Sequence, residues 1–310
     1  MKKLVKIALV LLTLCLVIGC SNSNNNSGND ETADAVTVVK VGVCGANNDQ
    51  WYAVQKVLDE AGENIKIELV VFDAYNLPNE ALNAGDIDLN AFQHKAYLAN
   101  EVNSQGYTIE TIGDTLMAPL TLYSTKYSSL DELKAATANG TVRIAVPDDA
   151  TNLARALKLL ETAGLITVDP AAGYSPEIKD ITGTLYDVEV VPQKADTLPN
   201  TLEDSGAATI NGTYAIPAGL IPSRDGLIIE DQGSDGDNPF VNIIVARSAD
   251  KDNEVYKKIV DAYQTQYVAA YILTRYEQAY FPAFDYDVDA AVADGAKIVD
   301  EVAAYKASIE

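Results

Sequence analysis

The sequence predicts an α/β protein built as two lobes, and three observations carry that prediction. Apolar, β-branched runs alternate with segments of helical periodicity, the order that builds parallel-rich sheets covered by helices. An extended segment over residues 119–124 is followed by a second series of the same kind. The 310 residues are 48% hydrophobic, enough for about two cores of ordinary size.

The chain opens with Lys2, Lys3 and Lys6 ahead of an apolar run over 7–18. That run is short for a membrane span and has the order of a secretory signal. Val17-Ile18-Gly19-Cys20 resembles a bacterial lipobox, so residues 1–19 are read as a lipoprotein signal peptide and Cys20 as the lipidated residue. A plain signal peptide or a short membrane anchor is the alternative. From Cys20 to residue 35 the chain is rich in Ser and Asn without apolar periodicity, which suits a flexible tether reaching about 20 Å from the membrane. Cys15 leaves with the signal and Cys20 takes lipid, so Cys44 has no partner for a disulfide and is read as a small buried hydrophobe.

Residues 36–44 form an apolar strand of the kind buried on both faces. A helix over 49–60 follows, with Trp51, Val54, Leu58 and Ala61 on one face. A second strand spans 65–72. Pro78 then suits a first helical position and Gly85 a left-handed helix end, with Leu77, Ala81 and Leu82 on one face. A short strand over 87–91 delivers Asn90, Phe92 and the chain's single histidine, His94, to the sheet end where open α/β folds bind ligands. A helix over 95–103 and a strand over 107–112 follow.

Beyond the crossing at 119–124, Ser129 and Glu132 form a capping box for a short helix. A strand over 142–146 and a turn at Pro147-Asp148-Asp149 lead to Thr151 as the N-cap of a helix over 152–163. Leu153, Ala156, Leu157 and Leu160 make its buried stripe, whereas Asn152 and Arg155 share another face near the positive end. An amide and a guanidinium at a helix N-terminus make a carboxylate site. A surface arginine bridging to Asp148 or Asp149 fits the spacing equally well. Strands over 186–191 and 207–210 follow a polar region, the second ending at Asn211, which also points to a cleft. A late strand over 240–246 returns to the first lobe. One long helix over 253–280, with Tyr256, Tyr263, Tyr267 and Tyr271 as a packing stripe, and a last helix over 288–307 complete the chain.

Composition removes several functions. A formal charge of −23, three units more negative once the signal lysines leave, argues against nucleic acid and against broad contact with anionic lipid. No nucleophile elbow, Walker loop, dinucleotide fingerprint or paired-histidine zinc motif is present, so the reading is a non-enzyme without a cofactor. Residues 231–237 resemble a calcium loop in part, but Gly233 and Asn242 stand where ligands are needed, so no metal is called for. A tethered adhesion or scaffold protein is the remaining alternative, and it predicts no small-molecule ligand.

Four blocks in order carry a resemblance: Leu77-Pro-Asn-Glu-Ala-Leu82 with Gly85-Asp-Ile-Asp88 and Asn90-Ala-Phe-Gln-His94; Val146-Pro-Asp-Asp-Ala-Thr-Asn-Leu-Ala-Arg155; Ala208-Thr-Ile-Asn-Gly-Thr-Tyr-Ala215; and Asn238-Pro-Phe-Val-Asn-Ile-Ile244. They resemble the methionine-binding lipoproteins of the NlpA/MetQ family, the substrate-binding proteins of ABC importers. The resemblance implies a periplasmic-binding-protein-like fold of type II with the ligand in the interlobe cleft. Lobe 1 would comprise 36–118 plus about 237–310, and lobe 2 about 119–236. It implies L-methionine or a related small amino acid as ligand, an ABC permease and its ATPase subunit as partners, and an extracytoplasmic location. Tyr75, Phe92 and His94, with Tyr97 a further candidate, would hold the ligand side chain. Arg155 would grip the α-carboxylate, and Asn152 and Asn211 would bond the carboxylate or the amino group. A methionine-containing dipeptide or another apolar amino acid is the alternative ligand. Two departures bear on that choice: the turn Gly45-Ala-Asn-Asn-Asp-Gln-Trp51 lacks a histidine that such proteins often carry, and Ala118 stands where they tend to place a larger residue.

Overall fold

The computed structural model describes residues 35–231 and 238–310. The expected signal, the expected lipidation site Cys20, nearly all of the expected tether and most of the calcium-like loop lie outside the described residues. The first elements are β1 (Thr37–Cys44), α1 (Gln50–Glu60), β2 (Ile65–Phe72), α2 (Pro78–Ala84), β3 (Leu89–Asn90), α3 (Lys95–Gln105) and β4 (Ile109–Met117). Next come β5 (Thr121–Tyr123), α4 (Leu130–Ala136), β6 (Val142–Pro147), α5 (Ala150–Thr162), β7 (Ile166–Val168), β8 (Ile181–Thr184), β9 (Val188–Gln193), α6 (Leu198–Thr201), β10 (Ala207–Ile210), α7 (Gly212–Ala215), α8 (Pro222–Asp225) and β11 (Gly226–Ile229). The chain ends with β12 (Val241–Arg247), α9 (Glu254–Tyr263), α10 (Gln266–Arg275), β13 (Phe281–Pro282) and α11 (Val288–Ile309).

Two sheets organise two lobes. The first has strand order β13-β4-β12-β3-β1-β2 and the second β11-β5-β10-β6-β9. β1 lies parallel to β2 over all eight residues, from Thr37 opposite Ile65 to Cys44 opposite Phe72, as expected for a run of β-branched residues covered on both faces. Neither sheet is purely parallel. The returning β12 runs antiparallel to both β3 and β4, and β5 runs antiparallel to β10 and β11. Both lobes therefore owe their mixed sheets to strands beside the two crossings.

Helices fill the faces. Val39, Val41 and Val43 of β1 pack with Trp51, Val54 and Leu58 of α1 and with Tyr263 and Ile272 of the C-terminal helices. In the second lobe, Leu153, Ala156, Leu157 and Leu160 of α5 pack on Val142, Ile144 and Val146. Ala61, expected on the buried face of α1, is exposed, as is Leu77 ahead of α2. Both sit just outside their helices, where the periodicity no longer applies.

Several local expectations are corrected. α5 begins two residues early because Asp149, not Thr151, caps it, its carboxylate accepting from the Asn152 N–H at 3.0 Å. Thr151 donates its hydroxyl to the same carboxylate at 3.1 Å. Ser129 does cap α4, but Glu132 reaches back to the Ser128 N–H rather than to Ser129, so the reciprocal box is not closed. The long helix over 253–280 is two helices, with Thr265 capping the second through the Val268 N–H. The polar region before β9 contains the antiparallel pair β7–β8. Gly85 ends α2 at φ 87°, as expected.

Candidate ligand-binding site

The seven residues singled out in the sequence, Tyr75, Phe92, His94, Tyr97, Asn152, Arg155 and Asn211, all line one cavity, together with Gln93, Ala118, Gly212, Thr213 and Asn242. It lies where the C-terminal ends of β3, β6 and β10 meet, each sheet giving way there to the loop or helix that carries a polar residue. Asn90 is the exception among the residues aimed at the cleft. It is fully buried beside the cavity in an amide cluster, its Nδ2 donating to Asn79 Oδ1 at 2.9 Å while its own Oδ1 accepts from Gln93 Nε2 at 3.0 Å. Gln93 and Asn79 are bonded in both directions, at 2.9 and 2.6 Å, so this network fixes the corner from which Phe92 and His94 project.

His94 caps α3. Its Nδ1 accepts from the Tyr97 N–H at 3.1 Å, which places the ring proton on Nε2, 3.4 Å from Asn152 Oδ1. Burial, and secondarily the charge of Arg155, lowers its pKa to about 3, against the opposing effect of the Asn152 contact. The imidazole is thus neutral, a flat partly apolar wall, as protonation of Nδ1 would also break the cap. Its ring meets Phe240 edge-on at 5.3 Å.

Asn152 is the polar hub. Its Nδ2 donates to both Asp149 oxygens at 3.0 Å, and its Oδ1 accepts from Arg155 Nη1 at 3.1 Å and Asn211 Nδ2 at 2.9 Å. Asn211 Oδ1 is buried and lacks a hydrogen-bond partner among the described residues. Leaving such a carbonyl unsatisfied costs about 1–3 kcal/mol, a cost that a ligand donor would offset.

Arg155 is 4% exposed, which removes the surface-bridge reading, and its partner is neither Asp148 nor Asp149. It pairs with Glu230, through Nε at 2.9 Å and through Nη2. Nη2 also donates to the Ala118 carbonyl at 3.3 Å, and the guanidinium lies over the Phe240 ring at 4.5 Å. Of the five N–H groups an arginine offers, one on Nη1 is left for the cavity.

The opposite wall is aromatic. Tyr75, Phe92 and Tyr97 stand 6.0–6.1 Å apart by ring centroids, and Tyr214 of the second lobe meets Tyr75 at 5.1 Å while its hydroxyl donates to the Asp73 carbonyl at 3.1 Å. Cys44 packs beneath this cluster, and burial, reinforced by Asp73, pushes its thiol well above the ordinary range. That environment makes it an inert filler, as expected. Behind Ala118 a second chamber continues, lined by Asn48, Trp51, Tyr263 and Tyr280 and sharing Phe92, Thr213 and Asn242 with the first.

Gln93, Asn242, Glu230 and Phe240 were not singled out from sequence. Asn242 had a legible signal, a lone amide inside an apolar strand. Gln93 was hidden because strict alternation turns it away from Phe92 and His94, whereas an irregular corner presents all three. Glu230 lies 75 residues from Arg155, and nothing local announces it.

Two α/β lobes that enclose a buried cavity with one cation, polar amides and an aromatic wall define a two-lobed substrate-binding protein. Residues 39–284 match the family model described as NlpA lipoprotein. The chain is 41% identical over 270 residues to the D-methionine-binding lipoprotein MetQ of Yersinia pestis, covering 86% of this chain and 92% of that protein. It is 43% identical over 234 residues to the protein of the same name in Escherichia coli K12, covering 74% and 82%. A nutrient binding protein from Burkholderia cenocepacia, solved bound to methionine, superposes with a TM-score of 0.73 at 35% identity, over 79% of this chain and all of that one. The chain belongs to the NlpA lipoprotein family. These three relatives are named as binding proteins, and among the described residues no helix is long and apolar enough to cross a membrane.

Proposed function

We propose that this chain is a lipid-anchored, extracytoplasmic substrate-binding protein that captures methionine by closing its lobes and delivers it to an ABC permease driven by its ATPase subunit. The observation that carries the reading is the pairing, in one cavity, of a buried guanidinium and an unsatisfied amide carbonyl with a wall of aromatic rings. A zwitterion needs the first two and a thioether the third. Each sulfur–aromatic contact contributes about 0.3–1.5 kcal/mol, so the charged groups supply most of the affinity and the rings the selectivity.

In this reading Tyr75, Phe92, His94 and Tyr97 surround the ligand side chain, Arg155 receives the carboxylate, and Asn211 and Asn152 complete the polar end. The moving units are residues 36–118 with about 237–310, against about 119–236, a division supported by strand membership in the two sheets. Cys20 carries the lipid. No bond is broken in the cycle, so the protein is not an enzyme, and the relatives' names support that.

The test is calorimetric titration of residues 36–310, unfolded and refolded to release any carried ligand, with L-methionine, D-methionine, glycyl-methionine and leucine. Saturable one-to-one binding of methionine, lost in Arg155→Ala, is expected. Silence toward all four ligands would leave a scaffold role as the better account. The alternative ligand, a methionine-containing dipeptide, is favoured by one observation, the chamber that opens past Ala118; it predicts tighter binding of glycyl-methionine than of methionine.

A further inference from the structure

Glu230 does not line the cavity, yet it occupies more of the Arg155 guanidinium than any other group. One carboxylate oxygen accepts from Nε at 2.9 Å, and the other accepts from Nη2 and from the Leu120 N–H, the latter at 3.0 Å. Its backbone N–H donates to the Leu120 carbonyl at 2.9 Å. The pair is deeply placed, with the arginine side chain 3% and the glutamate side chain 15% exposed. Arg155 is the one permanently charged residue among those lining the cavity, since burial keeps His94 neutral. Glu230 cancels that charge from behind, and Asp149 adds a further negative charge behind Asn152. A buried site with a bare guanidinium would attract any carboxylate.

We infer that Glu230 is a specificity-determining positioning residue that holds Arg155 as a neutral ion pair, so that the site accepts a ligand carrying both an ammonium and a carboxylate and rejects an anion of the same shape. This rests on the assignment of Arg155 to the ligand carboxylate. The neutralised guanidinium still offers a directed N–H, while the net potential no longer favours a lone negative charge. The unsatisfied Asn211 Oδ1 supplies an acceptor that only the ammonium can use.

The probes are 4-(methylthio)butanoate, which is methionine without its amino group, and 3-(methylthio)propylamine, which lacks the carboxylate. Competition against methionine gives the dissociation-constant ratio of each probe to methionine in wild type and in Glu230→Gln. The ratio for the acid should fall by roughly tenfold or more in the variant, and that for the amine should rise, because removing a buried negative charge acts with opposite sign on the two. A purely structural role would weaken all three ligands and leave both ratios in place, which would overturn the inference. An acid that remains as weak in the variant as in the wild type overturns it as well. Glu230→Asp, checked by its thermal unfolding, keeps the charge while shifting the geometry. It should still reject the acid, and admission of the acid by that variant counts against the charge argument even if Glu230→Gln does not fold. A wild type that binds no methionine is a different failure, one that removes the Arg155 assignment and this inference with it.

Discussion

With its guanidinium already holding Glu230, Asn152 and the Ala118 carbonyl, Arg155 cannot be truncated without depriving the deeply placed Glu230 carboxylate of its cationic partner. Arg155→Ala should therefore abolish tight methionine binding, a loss of about 2–5 kcal/mol, whereas Phe92→Ala, which removes one aromatic contact and some burial, should weaken it by about 1–2 kcal/mol. Calorimetry on the two variants checks the order, and the reverse order refutes the assignment of roles. His94 gives a second prediction through pH. Its folded pKa of about 3 lies below the ordinary 6.5, so below pH 6.5 the unfolded chain takes up a proton that the folded chain refuses. The stability from the neutral ring is fully present above pH 6.5 and is lost as pH falls toward 3, at about 1.4 kcal/mol per unit. Between pH 7 and pH 5 the urea-unfolding free energy of the wild type should drop about 2 kcal/mol more than that of His94→Asn; equal drops would show that the ring is already charged or exposed. At this scale placement at strand ends and at a helix start pointed to Phe92, His94, Asn152, Arg155 and Asn211, which do line the cavity, and also to Asn90, which does not. Tyr75 and Tyr97 came from the family resemblance alone. The sequence was silent about what pairs with Arg155, since the partner arrives from another strand.

Elements differ in how openly they advertise themselves. β1, β2 and β10 were readable to within a residue because β-branched runs bounded by polar turns leave little choice. The break between α9 and α10 was not, since Gln264 and Thr265 are neither Gly nor Pro, and the only cue is a threonine able to restart a helix. The loop after β1 shows an element shaped by the opposite lobe. Gly45 has φ 72°, and a Cβ there would stand 2.7 Å from the Thr213 carbonyl oxygen. Gly62 has nearly the same φ, 73°, with nothing within 4 Å. Alanine at either position should lower stability by about 1–2 kcal/mol through left-handed strain. Only Gly45→Ala should also weaken methionine binding, by roughly tenfold, because its methyl group props the lobes apart where they touch. Thermal unfolding and titration of both variants separate the two effects, and equal affinities would place closure elsewhere. Gly212 meets Tyr280 in a similar close approach, a second place where the lobes meet without room for a side chain.

Across the whole molecule, the two-lobed plan was legible because the strand–helix order restarts after residue 119 and because β12 carries the apolar run needed to return. The mixed sheets were not legible, as strand direction depends on where a crossing enters rather than on composition. The strand order has a consequence for how the chain acquires its shape. The second sheet draws its strands from one continuous stretch, Thr121 to Ile229, whereas the first needs β12 between β3 and β4 and β13 at its edge. β1 to β4 therefore wait, with an incomplete sheet, for partners more than a hundred residues downstream, and such long loop closures slow folding. The lobe made last in sequence terms is the one begun first. In refolding followed by pulsed hydrogen exchange, amides of β6, β9 and β10 should become protected before those of β4 and β12, and simultaneous protection would mean that the two lobes assemble as one cooperative unit. A chain made from its first residue onward thus holds its first lobe open until β12 and β13 have followed.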